Sequence, residues 1–215
     1  MNLKNFCTDE EALETLRAKV KIRLSPKRWI HTAEVEKAVA QLAALYCPSK
    51  TNLLRAAALL HDITKEWSVE EHCTFCASHG IRLTAQDVLA HKTLHARTAA
   101  ALIPEGFPEY AAPVLLSAVR WHTTGRAGMT TTEKLLYLAD YIDASRTFPD
   151  CVALREAFWG AAPQKMTAPE RKEHLRKVLI RSFDMTIAGL LADGLPVAKD
   201  TVAARNALIL EGNQT

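Results

Sequence analysis

The sequence predicts an all-α fold. Apolar residues recur at separations of three and four, and strand-like alternation of β-branched residues is scarce. Ser/Thr capping signals with Gly and Pro stops divide the chain into helix-length segments. Hydrophobic residues make up 48% of the 215 positions, enough for a substantial core in one globular chain.

The elements follow in order. Thr8 before Asp9-Glu10-Glu11 starts a first helix, with Ala12, Leu13, Leu16, Val20 and Ile22 as its apolar face. Ser25-Pro26 is an N-cap and first-turn signature for a second helix, which carries His31 and stops near Tyr46 before Pro48. A third begins near Ser49 or Thr51 and runs through Leu53, Leu54, Ala57 and Leu60 to His61-Asp62. His31 lies roughly 25 Å before the Pro48 turn and His61 roughly 20 Å after it, so an antiparallel hairpin brings them level. The first helix is expected to cover the other side of that hairpin.

Ser68-Val69-Glu70-Glu71 is a capping box for a helix ending at His79-Gly80, and Thr84-Ala85-Gln86-Asp87 starts a short helix by the same logic. Lys92 to Ile103 holds His95 among small alanines. Pro108 opens a helix reaching His122, and Thr123 to Met129 forms a polar loop with two glycines. Thr130 to Asp143 is helical, with Leu135, Leu138, Ala139 and Ile142 as its stripe and Asp140 embedded beside it. Beyond Pro149 the pattern predicts a short helix to Trp159, a long one from Pro169 to Ala192 and a last one from Asp200 to Glu211. Residues 1–24 are then a helix packed on the core, 25–147 the core holding the polar residues, and 148–215 helices completing the same domain.

The chemistry gathers in the ordered series His31, His61-Asp62, His95, His122 and Asp140, each within or at the end of a predicted helix. An adjacent imidazole and carboxylate ending an apolar run need a partner, and a cation suits both. Four imidazoles and two carboxylates fit iron, manganese, cobalt or zinc by ligand type. His31, His61, Asp62 and Asp140 would hold one metal. His95 and His122 would hold a second, with Asp62 bridging. Such a set leaves positions for water and substrate. His91 lies one helical turn before His95. A rival cluster, His72, Cys76 and His79, shares one helical face, but structural zinc sites draw ligands from separate elements, so a partly buried helix is expected there.

His31, His61-Asp62 and Asp140 resemble the motif of the HD-domain metal-dependent phosphohydrolases. More narrowly, Leu60-His61-Asp62-Ile63-Thr64-Lys65, Leu94-His95-Ala96-Arg97, Arg120-Trp121-His122-Thr123-Thr124-Gly125-Arg126 and Leu138-Ala139-Asp140-Tyr141-Ile142 with Arg146 are similar to its YqeK-type branch. That branch comprises bacterial symmetrical bis(5'-nucleosyl)-tetraphosphatases, which cut diadenosine tetraphosphate into two ADP. The resemblance spans about Arg28 to Arg155. It favours His95 over His91 as ligand, because Ala100 and Phe107 keep the family's register. Asp143-Ala144-Ser145-Arg146 departs from the branch's usual Glu-Pro-Asn-Arg.

The resemblance implies a single HD-domain helical bundle with a helical C-terminal extension and a dinuclear centre, with iron as the expected metal. A metal-bound water acidified from about 15.7 toward about 7 would attack phosphorus. Asp62 and Lys65 are the expected catalytic residues, and Arg28, Lys65, Thr124, Gly125, Arg126 and Arg146 the expected substrate contacts. Two alternatives remain: another HD phosphohydrolase acting on a nucleotide or cyclic dinucleotide, and a nucleotide-sensing module without turnover.

Charge and composition limit the partners. A net charge of +3 is too small to argue for nucleic acid, and the basic Arg171-to-Lys177 stretch reads as a solvated amphipathic face. No apolar run suggests a membrane helix, the N-terminus lacks the apolar core of a secretion signal, and five cysteines fit a reduced compartment. A cytoplasmic enzyme acting on a small dinucleoside polyphosphate or nucleotide diphosphate is expected, with a homodimer compatible.

Overall fold

The computed structural model describes residues 9–212. Among them are eleven α-helices, joined by short 3₁₀ turns, and no strand. Helix α1 spans Glu10–Lys21 and is capped by Asp9, whose side chain accepts from the Ala12 N–H. Thr8 lies outside the described residues. Leu13, Leu16 and Val20 are fully buried, each contributing about 1.5–3 kcal/mol. The expected face is shorter by one residue, because the helix ends at Lys21 and leaves Ile22 85% exposed.

Helices α2 (Pro26–Tyr46) and α3 (Thr51–Leu60) form the hairpin, joined by a 3₁₀ turn at Pro48–Lys50. Pro26 preorganises the first turn of α2, and the Ser25 side chain accepts from the Arg28 N–H. α1 packs against α3, on the flank the sequence assigns to it. Beyond Leu60 the chain continues as i→i+3 turns, with the Lys65 N–H donating to Asp62 O at 2.9 Å. Lys65 therefore sits on a turn rather than on an extension of α3.

Helix α4 (Val69–Ser78) and the short α5 (Ala85–Leu89) each start with a complete capping box. A 3₁₀ turn at His91–Thr93 precedes α6 (Leu94–Gly106), which runs past the expected end at Ile103. The predicted helix from Pro108 to His122 is instead broken in two. Pro108–Tyr110 is a 3₁₀ turn and α7 begins at Pro113, because the residue before a proline is driven from the α region; Ala112 is extended, with ψ 133°. Proline then opens α7 (Pro113–Trp121) at its first turn.

Helix α8 (Thr131–Ile142) is capped by Thr130 with Glu133 as the reciprocal partner. Then come α9 (Pro149–Gly160), α10 (Ala168–Ala192) and α11 (Lys199–Gly212). α2 packs on α8, α7 bridges α3, α6 and α8, and α10 lies against α8, α9 and α11. One continuous apolar core runs from Leu13 of α1 to Leu208 of α11. Within this bundle α2, α3, α6, α7 and α8 converge on a single buried polar centre.

Candidate metal centre

Five helices deliver the polar side chains. His31 comes from the second turn of α2, His61 caps α3 with Asp62 following it, and His95 comes from the first turn of α6. His122 caps α7, and Asp140 lies in the last turn of α8. His31, His61, Asp62, His95 and His122 are all less than 9% exposed. The two histidines of the α2–α3 hairpin do come level, with ring centroids 5.6 Å apart.

Asp62 divides the cluster between its two oxygens. Oδ2 lies 3.6 Å from His31 Nε2 and 3.4 Å from His61 Nε2, while Oδ1 lies 3.2 Å from His95 Nε2 and 3.7 Å from His122 Nε2. Asp140 Oδ1 joins the first group, 3.0 Å from His31 Nε2 and 3.8 Å from His61 Nε2. His95 and His122 face one another through their Nε2 atoms at 3.1 Å.

The tautomers show why a cation fits. His61 Nδ1 lies 2.6 Å from Ala58 O and His122 Nδ1 lies 2.7 Å from Val119 O, so both Nδ1 atoms carry the proton and donate it to a carbonyl. Each Nε2 is then a bare lone pair aimed at carboxylate oxygens, an arrangement that repels unless positive charge sits between them. His61 Nε2 and His31 Nε2 are also buried without a hydrogen-bond partner. A histidine that donates one nitrogen to a backbone carbonyl and offers the other inward is the usual form of a metal ligand. Two groups of donor atoms, His31-His61-Asp140 and His61-Asp62-His122, each lie within 4.8 Å of one another.

Electrostatics agree. Burial alone would raise the Asp140 carboxyl, yet Arg146 beside it holds it well below the usual carboxylate range. Burial pushes the His95 pKa down to about 3 and lowers that of His122, which keeps both imidazoles neutral as ligation requires. Burial would also lower His31, but the Asp140 and Asp143 carboxylates beside its two ring nitrogens carry it up to about 9. The carboxylates therefore call for positive charge at this point.

The predicted contact residues divide into two sets. Arg28 Nη1 reaches Asp62 Oδ2 at 2.8 Å, and its Nε is buried without a partner. Lys65 Nζ lies 3.3 Å from both ring nitrogens of His95. Arg146 binds Asp140 Oδ1 at 2.5 Å and Asp143 Oδ2 at 3.2 Å. Arg126 instead pairs with the buried Glu133 at 3.1 Å, and the Thr124 hydroxyl donates to Gly125 O at 3.0 Å. Those two serve the loop before α8. His91 is exposed in the 3₁₀ turn before α6 and does not enter the cluster. His72 and His79 also go separate ways, to Thr98 Oγ1 at 2.9 Å and to Glu105 Oε1 at 2.8 Å.

Two supporting groups escaped the sequence reading. Asp143 is fully buried with Oδ2 3.3 Å from His31 Nδ1, so it orients that ring from behind. Its signal was a second carboxylate three residues after Asp140. Thr64 donates to His95 O at 3.0 Å, and nothing in the sequence marks that pairing.

The HD domain family model matches residues 28–145. A protein of Halalkalibacterium halodurans named symmetrical bis(5'-nucleosyl)-tetraphosphatase is 33% identical over 196 residues, covering 89% of this chain and 94% of that protein. A protein of the same name from Bacillus subtilis is 31% identical, covering 93% and 97%. A crystal structure from Clostridium acetobutylicum, described as a predicted HD superfamily hydrolase involved in NAD metabolism, superposes with a TM-score of 0.80. It is 30% identical, with 92% of this chain and 97% of that one covered.

Proposed function

The chain belongs to the HD-domain family, and on that premise we propose that it is a metal-dependent hydrolase that cuts diadenosine tetraphosphate symmetrically into two ADP. The observation that carries the reading is the division of Asp62, one oxygen toward His31 and His61 and the other toward His95 and His122. That arrangement suits a pair of metals: His31, His61 and Asp140 would hold one and His95 and His122 the other, with one oxygen of Asp62 offered to each. The ligand types fit iron, which we choose, as well as manganese, cobalt or zinc. Bound there, the metals supply Lewis acidity, acidifying water and drawing charge from phosphoryl oxygens.

The chain's own residues supply the rest. Lys65, held beside His95 and half-buried, places an ammonium where a bound phosphate would lie, and removal of bulk water strengthens that attraction. Burial lowers its pKa, while Asp62 and Asp140 oppose the shift. Arg28 keeps its Nε free to donate to a phosphoryl oxygen while Nη1 holds Asp62. Arg146 fixes Asp140 through both side chain and main chain, its Nε donating to Asp140 O at 2.5 Å, so it orients a ligand. Asp143 holds His31 from the other side. ADP is a good leaving group, so this scheme requires no dedicated general acid.

Among the described residues the four cysteines are unpaired thiols and no helix is long and apolar enough to cross a membrane. The unpaired thiols support a cytoplasmic setting. Incubation of metal-loaded protein with diadenosine tetraphosphate, with products resolved by ion exchange, tests the reading. ADP alone is the expected product, and AMP with ATP would contradict it.

A further inference from the structure

An open groove between α6 and α7 holds about 390 Å³, within the size range of small-molecule sites. Ile81, Ala100 and Leu116 give it apolar walls, and Arg97, Arg120 and Trp121 line it as well. Successive helix residues are about 100° apart, so positions two apart point to roughly opposite sides. Arg97 follows His95 by two residues in α6, and Arg120 precedes His122 by two at the end of α7. The groove therefore lies behind the two helices that present those histidines, and no residue of the polar centre lines it.

Its two guanidinium groups differ in their partners. Arg97 pairs with Asp87, a carboxylate that also accepts from the backbone N–H and the hydroxyl of Thr84. Among the described residues Arg120 has neither a hydrogen bond nor an ion pair, and its guanidinium carbon stands 4.1 Å from the centroid of the Trp121 ring. The Ser117 hydroxyl, also on the lining, is already donated to Glu133. Burial and the like charge of Arg97 lower the Arg120 pKa to about 10, against the pull of Asp200 and Asp87. A half-buried cation without acceptors is costly, and the planar fork of donors on a guanidinium matches the oxygens of a phosphate.

We propose that this groove binds a small phosphomonoester, whose phosphoryl oxygens accept from Arg120 beside Arg97 while an apolar body lies on Ile81, Ala100 and Leu116. A phosphomonoester carries about −1.5 to −2 charge at neutral pH, which suits Arg120 together with the charge of Arg97 that Asp87 leaves over. A carboxylate brings only one. The site is separate from the metal centre and does not depend on the hydrolase reading.

Phenyl phosphate is the probe, with inorganic phosphate and benzoate as controls. Zinc-loaded protein with isotope-labelled tryptophan reports binding through the Trp121 indole N–H resonance, assigned with Trp121→Phe. Phenyl phosphate should move that resonance saturably, inorganic phosphate should bind more weakly for want of apolar contact, and benzoate more weakly for want of the second charge. Arg120→Met should weaken phenyl phosphate by about tenfold or more. Arg120→Lys keeps the charge and loses the fork, so its affinity should fall between; if Arg120→Met does not fold, this variant decides. Because Trp121 adjoins His122, a ligand held at the polar centre would move the same resonance. Asp62→Ala removes that route and should leave the shift in place. No saturable shift in wild type, wild-type affinity in the Arg120 variants, benzoate bound as tightly as phenyl phosphate, or a shift lost in Asp62→Ala would overturn the site.

Discussion

Thr64 donates its hydroxyl proton to the carbonyl oxygen of His95 across 3.0 Å, tying the turn after Asp62 to the first turn of α6. The same hydroxyl lies 2.9 Å from Thr98 Oγ1, which lies 2.9 Å from His72 Nδ1. All these side chains are buried. A buried polar chain of this kind fixes the relative position of the two segments that carry Asp62 and His95.

Thr64→Val keeps the volume and removes both hydrogen bonds of that hydroxyl. Thr98 retains Leu94 O as an acceptor at 3.3 Å, so the loss should be moderate, roughly 1–2 kcal/mol. Urea denaturation at fixed metal concentration measures it. A midpoint equal to wild type would show that the chain does not hold the two segments.

Asp62→Ala should remove bound metal and activity together, because both halves of the cluster meet at this carboxylate. His95→Ala touches one half only and should lower the metal stoichiometry without abolishing it. Elemental analysis of the purified variants decides the matter, and unchanged metal content in Asp62→Ala would refute the assignment. Chelation of wild type should also lower its melting temperature, since the cation's binding energy is linked to folding.

Lys65→Met should spare metal content and impair turnover. Removing one preorganised donor to developing charge typically costs about 10²–10³ in kcat. Steady-state kinetics with parallel metal analysis tests this. An unchanged kcat would remove Lys65 from the mechanism, and lost metal would reassign it as support for His95, its neighbour at 3.3 Å.

Much of the architecture is legible in the sequence because its signals are local. Ser68 and Thr84 each carry the reciprocal partner three residues on, and both boxes form. The convergence of His31 with His61 follows from helix rise and the Pro48 turn alone. What escaped depends on tertiary partners. Arg126 looks like any loop arginine until α8 buries Glu133 against it, and Asp143 gains its meaning only when α2 brings His31 alongside. The break before α7 was visible in Pro113, but its effect on Ala112 was outweighed by the apolar periodicity around it.

Gly125→Ala should destabilise the protein through packing rather than through the loop's contact with substrate. Gly125 adopts φ +62°, and a Cβ there would stand 2.7 Å from Phe183 Cζ, 3.0 Å from Ala204 Cβ and 3.1 Å from Met129 Sδ. Phe183 is fully buried and stacked on Tyr137 at 4.5 Å, so it has little room to withdraw. The left-handed backbone costs a non-glycine residue about 1–2 kcal/mol, and overpacking adds about 1–3 kcal/mol. For a chain of this size that sum lowers the melting temperature by on the order of 5–15 °C. Scanning calorimetry of the metal-loaded variant gives the shift. A normal melting temperature with a raised KM would instead make Gly125 a substrate contact, and Phe183 would then have to yield to the new methyl group.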